Sequence, residues 1–339
     1  MQISRRFTSR ASRAGAFLCM ALAAATYTAN VNAREIKIAT ISSANSPWAK
    51  AMQAFADEAG KLSNGDLHVK VYTDAQLGDI SKMFSSMQLG TLEMGYFGLG
   101  SAIFLRGAKA LNILYVPYLF KNGEWAERIL NDDEFTKIYD NIAKESGVRV
   151  FAAFGIRSPR ALETVDRPIR EPKDVKGLRL RIPSIPILKT TFETLGAQVV
   201  PLAMTEIYTA LGRHMIDGQD NGFDLSMPMR FYEEAKYWSA TNHAYELTGW
   251  FVSEQFWKSL SQKERQELIA AAKVGGAVAT RLDKKLDQDA IEKLKQSGVT
   301  YIVPDRAAFK QALANVYKKY EGKDWPAGMV ARIRKQQEQ

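Results

Sequence analysis

Three arginines occupy unusual positions for a charged side chain, at or near the ends of predicted β-strands. Arg179 and Arg181 alternate with apolar residues in a strand predicted over residues 177–182. Arg157 follows the apolar strand predicted over residues 148–154. A guanidinium at a strand end can donate two parallel hydrogen bonds to a carboxylate. The placement therefore predicts either a site for an organic acid or a set of interdomain salt bridges.

Sequence signatures of catalysis are absent. The chain contains no Gly-x-Ser-x-Gly, no Gly-x4-Gly-Lys-Ser/Thr and no His-Glu-x-x-His. Its three histidines are far apart in sequence, and we interpret them as structural or surface residues. Asp217, Asp220 and Asp224 lack the regular ligand spacing of a calcium loop. The sequence thus predicts no catalytic residues, no metal ion and no cofactor.

The first 33 residues are typical of a secretory signal. Four arginines without an acidic residue precede an apolar run at 14–25, which is shorter than the roughly 20 residues that span a bilayer. Val31-Asn32-Ala33 supplies the small residues of a cleavage site. We therefore predict export with cleavage after Ala33, by either the general or the twin-arginine route. A retained membrane anchor is the alternative.

Composition is that of a folded protein. The 339 residues suggest about two domains, and 46% are hydrophobic and 24% charged. The net charge of +9 falls to +5 once the four signal arginines are removed. The remaining basic residues are interspersed with acids, which argues against nucleic-acid binding. The one cysteine, Cys19, lies in the signal, so a cleaved chain has no disulfide and no cysteine-ligated zinc.

Alternating strands and helices must position the strand-end arginines. Two rounds of this alternation, separated near residue 148, predict parallel sheets with right-handed crossovers and a cleft at the carboxyl ends of their strands. Ser261 and Glu264 form a capping box, after which a helix is predicted to run to Gln296 with a bend at Gly275-Gly276. A helix of that length could brace two lobes.

Several motifs in fixed order resemble the solute-binding proteins of tripartite ATP-independent periplasmic (TRAP) transporters, of the dicarboxylate-binding (DctP) type. The motifs cover nearly all of the chain after residue 33. They are Ala75–Asp79, Pro117–Phe120, Asp174–Pro183, Leu195–Ala197, Pro201–Ala203, Glu206–Leu211, Ile216–Asn221 and Thr241–His243.

This resemblance implies an α/β fold of the periplasmic-binding-protein kind, with two lobes, a hinge and a long helix spanning both lobes. Lobe 1 is expected to comprise residues 34–157 and about 247–286, and lobe 2 about 158–246 and 287–339. The resemblance also implies a periplasmic protein that is not an enzyme and works with TRAP permease membrane subunits. Most such proteins act as monomers, and we expect the same here.

The resemblance also carries site residues. Arg181 matches the arginine that pairs with the ligand carboxylate, and Arg157 matches a second ligand-side arginine. Asn221 matches an asparagine that helps to hold the same carboxylate. Further candidates are Asp79, Tyr96, Phe97, Met204, Asp220 and Trp250.

One departure from the family pattern bears on the pocket. Met204 stands where the family often has a bulky aromatic residue, so we expect a softer or wider wall there. Trp48, Trp250 or Phe223 could supply aromatic surface instead, although aromatic residues are often simply core.

The expected function is capture of a small organic acid between the lobes by hinge closure, followed by delivery to the permease. The ligand stays open among C4-dicarboxylates, sugar acids, aromatic acids and keto acids, and Arg157 makes a dicarboxylate plausible. A ligand-binding component for a sensory receptor is one alternative. An exported enzyme is the other, although no nucleophile or acid–base pair stands beside the arginines at a recognisable spacing.

Overall fold

A computed structural model describes residues 33–338. Its strands are β1 (Arg34–Ala39), β2 (Leu67–Tyr72), β3 (Met94–Gly98), β4 (Val148–Ala152), β5 (Ala161–Thr164), β6 (Arg179–Ile182), β7 (Gln198–Pro201), β8 (Gly218–Asn221), β9 (Tyr237–Ser239), β10 (Thr248–Ser253) and β11 (Thr300–Ile302). The predicted signal and its cleavage site end at Ala33 and so fall, apart from that residue, outside the described part of the chain.

Helices fill most of the connections between these strands. They are α1 (Pro47–Leu62), α2 (Ile80–Gln88), α3 (Gly123–Leu130), α4 (Asp133–Ser146), α5 (Pro186–Thr194), α6 (Ile207–Gly212), α7 (Phe223–Ser226), α8 (Glu254–Ser259), α9 (Gln262–Gln296), α10 (Arg306–Ala312) and α11 (Met329–Gln336). Within residues 33–338, no helix combines the length and the apolar character needed to cross a membrane.

The first lobe is built on a mixed five-stranded sheet with the order β2-β1-β3-β10-β4. β1 pairs in parallel with β2 and β3, as predicted, but β10 runs antiparallel between β3 and β4. The prediction of a purely parallel sheet is therefore wrong. β10 returns to this sheet after residues 153–247, which follow β4 in the chain. All six residues of β10 are buried, and the strand lies inside the sheet between β3 and β4.

The second lobe is built on a six-stranded sheet with the order β11-β9-β5-β8-β6-β7. β6 pairs in parallel with β7 and β8, so these three strands end at the same edge of the sheet. β5 runs antiparallel to β8 and β9, which again makes the sheet mixed. The carboxyl ends of β6 and β8 bring Arg181 and Asn221 towards the first lobe.

Two chain segments cross between the lobes side by side. Residues 153–160 leave the first sheet, and residues 240–247 return to it. The backbone N–H of Arg157 donates to the carbonyl of Glu246 at 3.1 Å, and that of Arg160 donates to the carbonyl of Ala244 at 3.0 Å. We call this pair the crossover segments. The predicted lobe boundaries near residues 157 and 247 lie within them and stay a prediction.

Helix α9 is the third connection between the lobes. At 1.5 Å per residue its 35 residues span about 52 Å, and it packs on α1 and β4 of the first lobe and on α7 and β11 of the second. Ser261 and Glu264 form the predicted capping box. The helix is continuous through Gly275-Gly276, where a bend was predicted. A Cβ on Gly276 would lie 2.4 Å from Cβ of Phe154, so the glycine permits close packing.

The C-terminal residues contact both lobes. The Asn112 side chain donates to Asp324 at 2.8 Å on the first lobe, whereas the hydroxyls of Tyr320 and Thr190 lie 2.6 Å apart on the second. The expected assignment of residues 287–339 to the second lobe stays a prediction, and the C-terminal part of this segment also contacts the first lobe.

Candidate ligand-binding site

A cavity of about 350 Å³ lies between the two lobes. Its walls come from three parts of the chain: the first lobe, the second lobe and the crossover segments. The first lobe contributes Ile41, Trp48, Asp79, Ile80, Ser81, Gly98, Ser101, Phe104 and Tyr115; the second contributes Arg181, Pro183, Ser184, Ile185, Leu202, Ala203, Met204, Thr205, Asn221 and Leu225. The crossover segments add Arg157, Arg160 and Glu246. Small-molecule sites typically enclose about 300–1,000 Å³, so a small ligand fits this cavity.

Arg181 is a buried cation without a carboxylate partner in residues 33–338. Its side chain is 2% exposed, and Nε and Nη2 donate to the carbonyl of Leu202 at 2.9 and 2.7 Å. Its Nη1 has no hydrogen-bond partner among the described residues. Burial, reinforced by the positive charge of Arg160, lowers the pKa of Arg181 to about 9. The group stays a cation at neutral pH, and no acidic side chain of the described residues forms an ion pair with it.

Arg157 is also buried and lines the same cavity, but its charge is already matched. Its Nε lies 2.6 Å from Asp224, and its Nη1 lies 2.9 Å from Glu246. The guanidinium also stacks over Trp48, 5.0 Å from the ring centre. A Cβ on Gly98 would come within 2.7 Å of Nη1, so only glycine allows this approach. The salt-bridge alternative for the strand-end arginines therefore applies to Arg157.

A third arginine, Arg160, completes the ion-pair network. Its guanidinium binds Asp220 at 2.9 Å and Glu246 at 2.5 Å. His243 lies 3.2 Å from the same aspartate. Burial alone would raise the pKa of Asp220, but the charges of Arg160 and His243 hold it well below its usual range. Asp220 thus faces its own partners and is not part of the cavity wall.

Glu246 links the two paired arginines. Burial opposes its charge, yet Arg157 and Arg160 together keep the pKa of Glu246 below its usual range. It also accepts a hydrogen bond of 2.6 Å from the hydroxyl of Tyr115. Because Glu246 lies on one crossover segment and both arginines on the other, the network fastens the two segments to each other.

Asn221 and Met204 form one corner of the cavity on the second lobe. Asn221 ends β8, and its amide nitrogen donates to Gln219 at 2.8 Å. The same nitrogen lies 3.8 Å from the sulfur of Met204, which is a weak acceptor. A ligand oxygen can replace that sulfur as the second acceptor of Asn221.

Asp79 and Trp48 line the cavity from the first lobe. Asp79 caps α2, its Oδ1 accepting from the backbone N–H of Lys82 at 2.8 Å. Trp48 follows the helix start formed by Ser46 and Pro47, where Ser46 accepts from the backbone N–H of Ala49 as its sequence predicts. The indole N–H of Trp48 is buried and has no acceptor within residues 33–338.

Three of the predicted site residues lie in the core of the first lobe and do not line the cavity. Tyr96 and Trp250 pack with ring centres 4.1 Å apart, and the Tyr96 hydroxyl lies 2.7 Å from that of Thr248. Phe97 packs edge-on against Phe84. The aromatic alternative Phe223 stacks on Trp238 in the second lobe. Neighbouring strands bury these rings, and strand periodicity alone does not reveal which face is buried.

The structure also adds three cavity residues that the sequence did not single out, Arg160, Glu246 and Tyr115. It shows as well that Asp224 holds Arg157. One signal was available for Arg160, because it stands three residues after Arg157 in the same strand-to-strand connection. Asp217, Asp220 and Asp224, whose spacing does not match a calcium loop, pair with three different arginines.

Comparison with known proteins identifies the family. The model of the DctP family, described as bacterial extracellular solute-binding protein, family 7, matches residues 38–323. The chain belongs to this family. Membership of the DctP family confirms the resemblance inferred from the motifs, and it accords with the two-lobed α/β fold and the long helix.

Relatives of this DctP-family chain are solute-binding proteins. One, from Roseobacter denitrificans, is 29% identical over 290 residues, which cover 83% of this chain and 86% of the relative. Another is the 2,3-diketo-L-gulonate-binding periplasmic protein YiaO of Escherichia coli, 29% identical over 282 residues, which cover 82% and 84% of the two chains. The family implies a periplasmic location and a role in transport.

Solved TRAP periplasmic solute-binding proteins share the fold. The Roseobacter denitrificans protein with bound L-galactonate superposes with a TM-score of 0.82 at 26% identity, covering 88% of this chain and 98% of that one. A protein from Ochrobacterium anthropi with bound L-fuconate gives 0.82 at 26% identity, covering 89% and 98%.

Proposed function

We propose that this protein captures a small organic acid between its lobes and delivers it to the membrane permease of a TRAP transporter. The observation that carries the proposal is Arg181, a buried cation with no carboxylate partner in the described chain. A buried charge without a partner is strongly unfavourable. A ligand carboxylate supplies that partner through charge-assisted hydrogen bonds.

Two further donors support a ligand rich in oxygen. Asn221 has an amide N–H that faces only the sulfur of Met204, and Trp48 has an indole N–H with no acceptor in residues 33–338. They approach the cavity from opposite lobes. A ligand that accepts from both stabilises the arrangement in which the lobes are together, which is the basis of hinge closure.

The ligands of related proteins indicate which organic acids should be tested first. YiaO is named for 2,3-diketo-L-gulonate, and the two solved neighbours hold L-galactonate and L-fuconate. All three ligands are small sugar acids with one carboxylate. Our proposal includes export by the signal of residues 1–33, action as a monomer and release of the ligand chemically unchanged.

Thermal unfolding of the ligand-stripped chain against L-galactonate, L-fuconate and other organic acids tests the proposal. A ligand at 100 times its Kd adds about 2.7 kcal/mol to the free energy of unfolding. Arg181→Met is expected to weaken binding by about 10²- to 10⁴-fold, because two charge-assisted hydrogen bonds contribute roughly 1.5–3 kcal/mol each.

Arg179→Met is the matched control. Arg179 stands two residues earlier on β6, but it is half-exposed and pairs with Asp217, so its removal should leave affinity unchanged. In a strain that lacks this protein, the Arg179 variant should restore uptake of the acid and the Arg181 variant should not. Equal binding by Arg181→Met and the unaltered chain would exclude Arg181 as the carboxylate site, and no shift with any acid would refute the proposal.

A further inference from the structure

The charges around the cavity leave room for one carboxylate. Three arginines and three acids meet there, and the acids belong to two of the arginines: Arg157 holds Asp224, Arg160 holds Asp220, and both share Glu246. Arg181 alone has no acid within residues 33–338. A ligand with one carboxylate satisfies Arg181, whereas a second carboxylate would find no free cation on this cavity wall.

Asp79 makes the opposite wall unfavourable for a second anion. It reaches the cavity from the first lobe, whereas Arg181 reaches it from the second. Asp79 is exposed and stands outside the ion-pair network of Arg157 and Arg160. A carboxylate accepts hydrogen bonds and donates none. Asp79 can therefore accept a hydrogen bond from a ligand hydroxyl, whereas it repels a ligand carboxylate.

The rest of the wall is neutral. Its neutral polar side chains outside the network are the hydroxyls of Ser81, Ser101, Ser184 and Thr205, the amide of Asn221 and the indole N–H of Trp48. Between them lie apolar side chains such as Ile41 and Phe104. Hydroxyl groups both donate and accept, so they match the hydroxyls of a ligand without adding charge.

We infer that the cavity selects hydroxylated monocarboxylates over dicarboxylates of the same carbon skeleton, and that Asp79 is the residue that discriminates between them. This inference rests on the proposed function, because it takes Arg181 as the site of the single carboxylate. The sequence made a dicarboxylate plausible because of Arg157. Our inference instead favours a ligand with one charged end and one neutral, hydroxylated end.

The experiment compares acids that differ only in their far end. L-galactonate is measured against galactarate and D-erythronate against meso-tartrate, since each pair exchanges a terminal CH₂OH for a carboxylate. Calorimetric titration of the ligand-stripped chain should show at least one monocarboxylate binding about tenfold or more tightly than its partner. Asp79→Asn keeps the helix cap and should reduce that preference by about fivefold or more.

Asp74→Asn is the matched control. Asp74 lies on the turn before α2, and its side chain accepts from the hydroxyl of Thr73 at 2.7 Å, outside the cavity. This variant should keep the preference of the unaltered chain. A dicarboxylate that binds as tightly as its monocarboxylate overturns the inference, and an unchanged preference in Asp79→Asn overturns the role of Asp79.

Two remaining outcomes separate the inference from the proposed function. If none of the four hydroxy acids binds but 2-oxobutyrate or succinate does so through Arg181, the inference fails and the proposed function stands. If no carboxylate binds at all, both fail.

Discussion

Arg157 and Arg181 resemble each other in position and differ in the partners that their side chains bind. Both follow or end a strand, both are almost fully buried, and both line the cavity between the lobes. Arg157 pairs with Asp224 and Glu246, whereas Arg181 donates only to the carbonyl of Leu202 and leaves one nitrogen without a partner. Arg157 thus fastens the crossover segments, whereas Arg181 is the arginine that the proposed function assigns to a ligand carboxylate.

This difference shows that the role of a buried arginine depends on whether the fold brings acidic side chains next to it. Glu246 is 89 residues from Arg157, and Asp224 is 67 residues from it. Both acids reach Arg157 only because the chain crosses between the lobes twice. The comparison predicts that the same substitution strongly lowers the stability of the ligand-free chain at Arg157 and changes it little at Arg181.

The largest expected effect on stability is that of Arg157→Met. Removing this cation leaves Asp224 and Glu246 buried, with Asp224 losing its partner and Glu246 keeping only Arg160. Breaking a buried ion pair from one side typically costs about 3–5 kcal/mol. We expect the free energy of unfolding of the ligand-free chain, measured in urea at pH 7, to fall by that amount.

A second substitution shows whether the unpaired charge of Asp224 causes the loss of stability in Arg157→Met. Asp224→Asn added to Arg157→Met removes one buried charge and should restore part of the lost stability. If Arg157→Met lowers stability by less than about 1 kcal/mol, the value typical of an exposed pair, the network does not fasten the crossover segments.

The next effect concerns acids beside Arg157 that have no cation of their own. Burial raises the pKa of Asp287 to about 7, with Asp224 adding to the shift and the hydroxyl of Ser158, 2.5 Å away, opposing it. Burial likewise raises the pKa of Asp283 well above its usual value. The folded chain therefore holds these protons more tightly than the unfolded chain does.

This linkage fixes the sign of the pH dependence. The stability contributed by Asp287 is complete below about pH 4, and it falls as the pH rises to about 7. We expect the contribution of Asp287 to the free energy of unfolding to fall by about 2 kcal/mol between pH 5 and 7, because one proton changes it by about 1.4 kcal/mol per pH unit. Asp220 acts in the opposite direction, because its lowered pKa gives stability above about pH 4 that is lost in stronger acid.

Urea unfolding from pH 4 to pH 8 measures this dependence. Asp287→Asn cannot titrate and should reduce the slope between pH 5 and 7 by the share of one proton. Burial also raises the pKa values of Asp283 and Glu163, so part of the slope should remain. Asp289→Asn is the control, because that aspartate is exposed on the same helix and pairs with Lys285 at 2.9 Å. If the free energy of unfolding of the Asp287 variant depends on pH as steeply as that of the unaltered chain, Asp287 is not one of the titrating groups.

The sequence was sufficient for those features that depend on neighbouring residues. The helix start at Ser46-Pro47 and the capping box of Ser261 and Glu264 are local hydrogen-bonding patterns, and both are observed. The arginine at the end of β6 follows from alternation along one strand. Local patterns of this kind survive folding because their partners are three or four residues away.

Features that depend on distant residues could not be predicted. β10 enters the middle of the first sheet from the far side of the second lobe, and it buries Trp250, which was a site candidate. The sequence predicts a bend at Gly275-Gly276 and cannot show that α9 runs through these residues without a break, or that Phe154 packs against Gly276. The ion-pair network was missed for the same reason, since each of its arginine–carboxylate pairs joins residues 60 or more positions apart.

The smallest expected effect is that of Arg181→Met on the ligand-free chain, and it decides the comparison. The substitution removes hydrogen bonds to the carbonyl of Leu202, which destabilises the fold, and it also removes an unpaired buried charge, which stabilises it. Because these terms oppose each other, we expect the free energy of unfolding in urea at pH 7 to stay within about 1 kcal/mol of the unaltered value. A fall of about 3 kcal/mol or more would make Arg181 a structural residue like Arg157. An unchanged or raised free energy of unfolding, combined with the loss of stabilisation by the ligand, would mean that Arg181 serves ligand binding and does not stabilise the ligand-free fold.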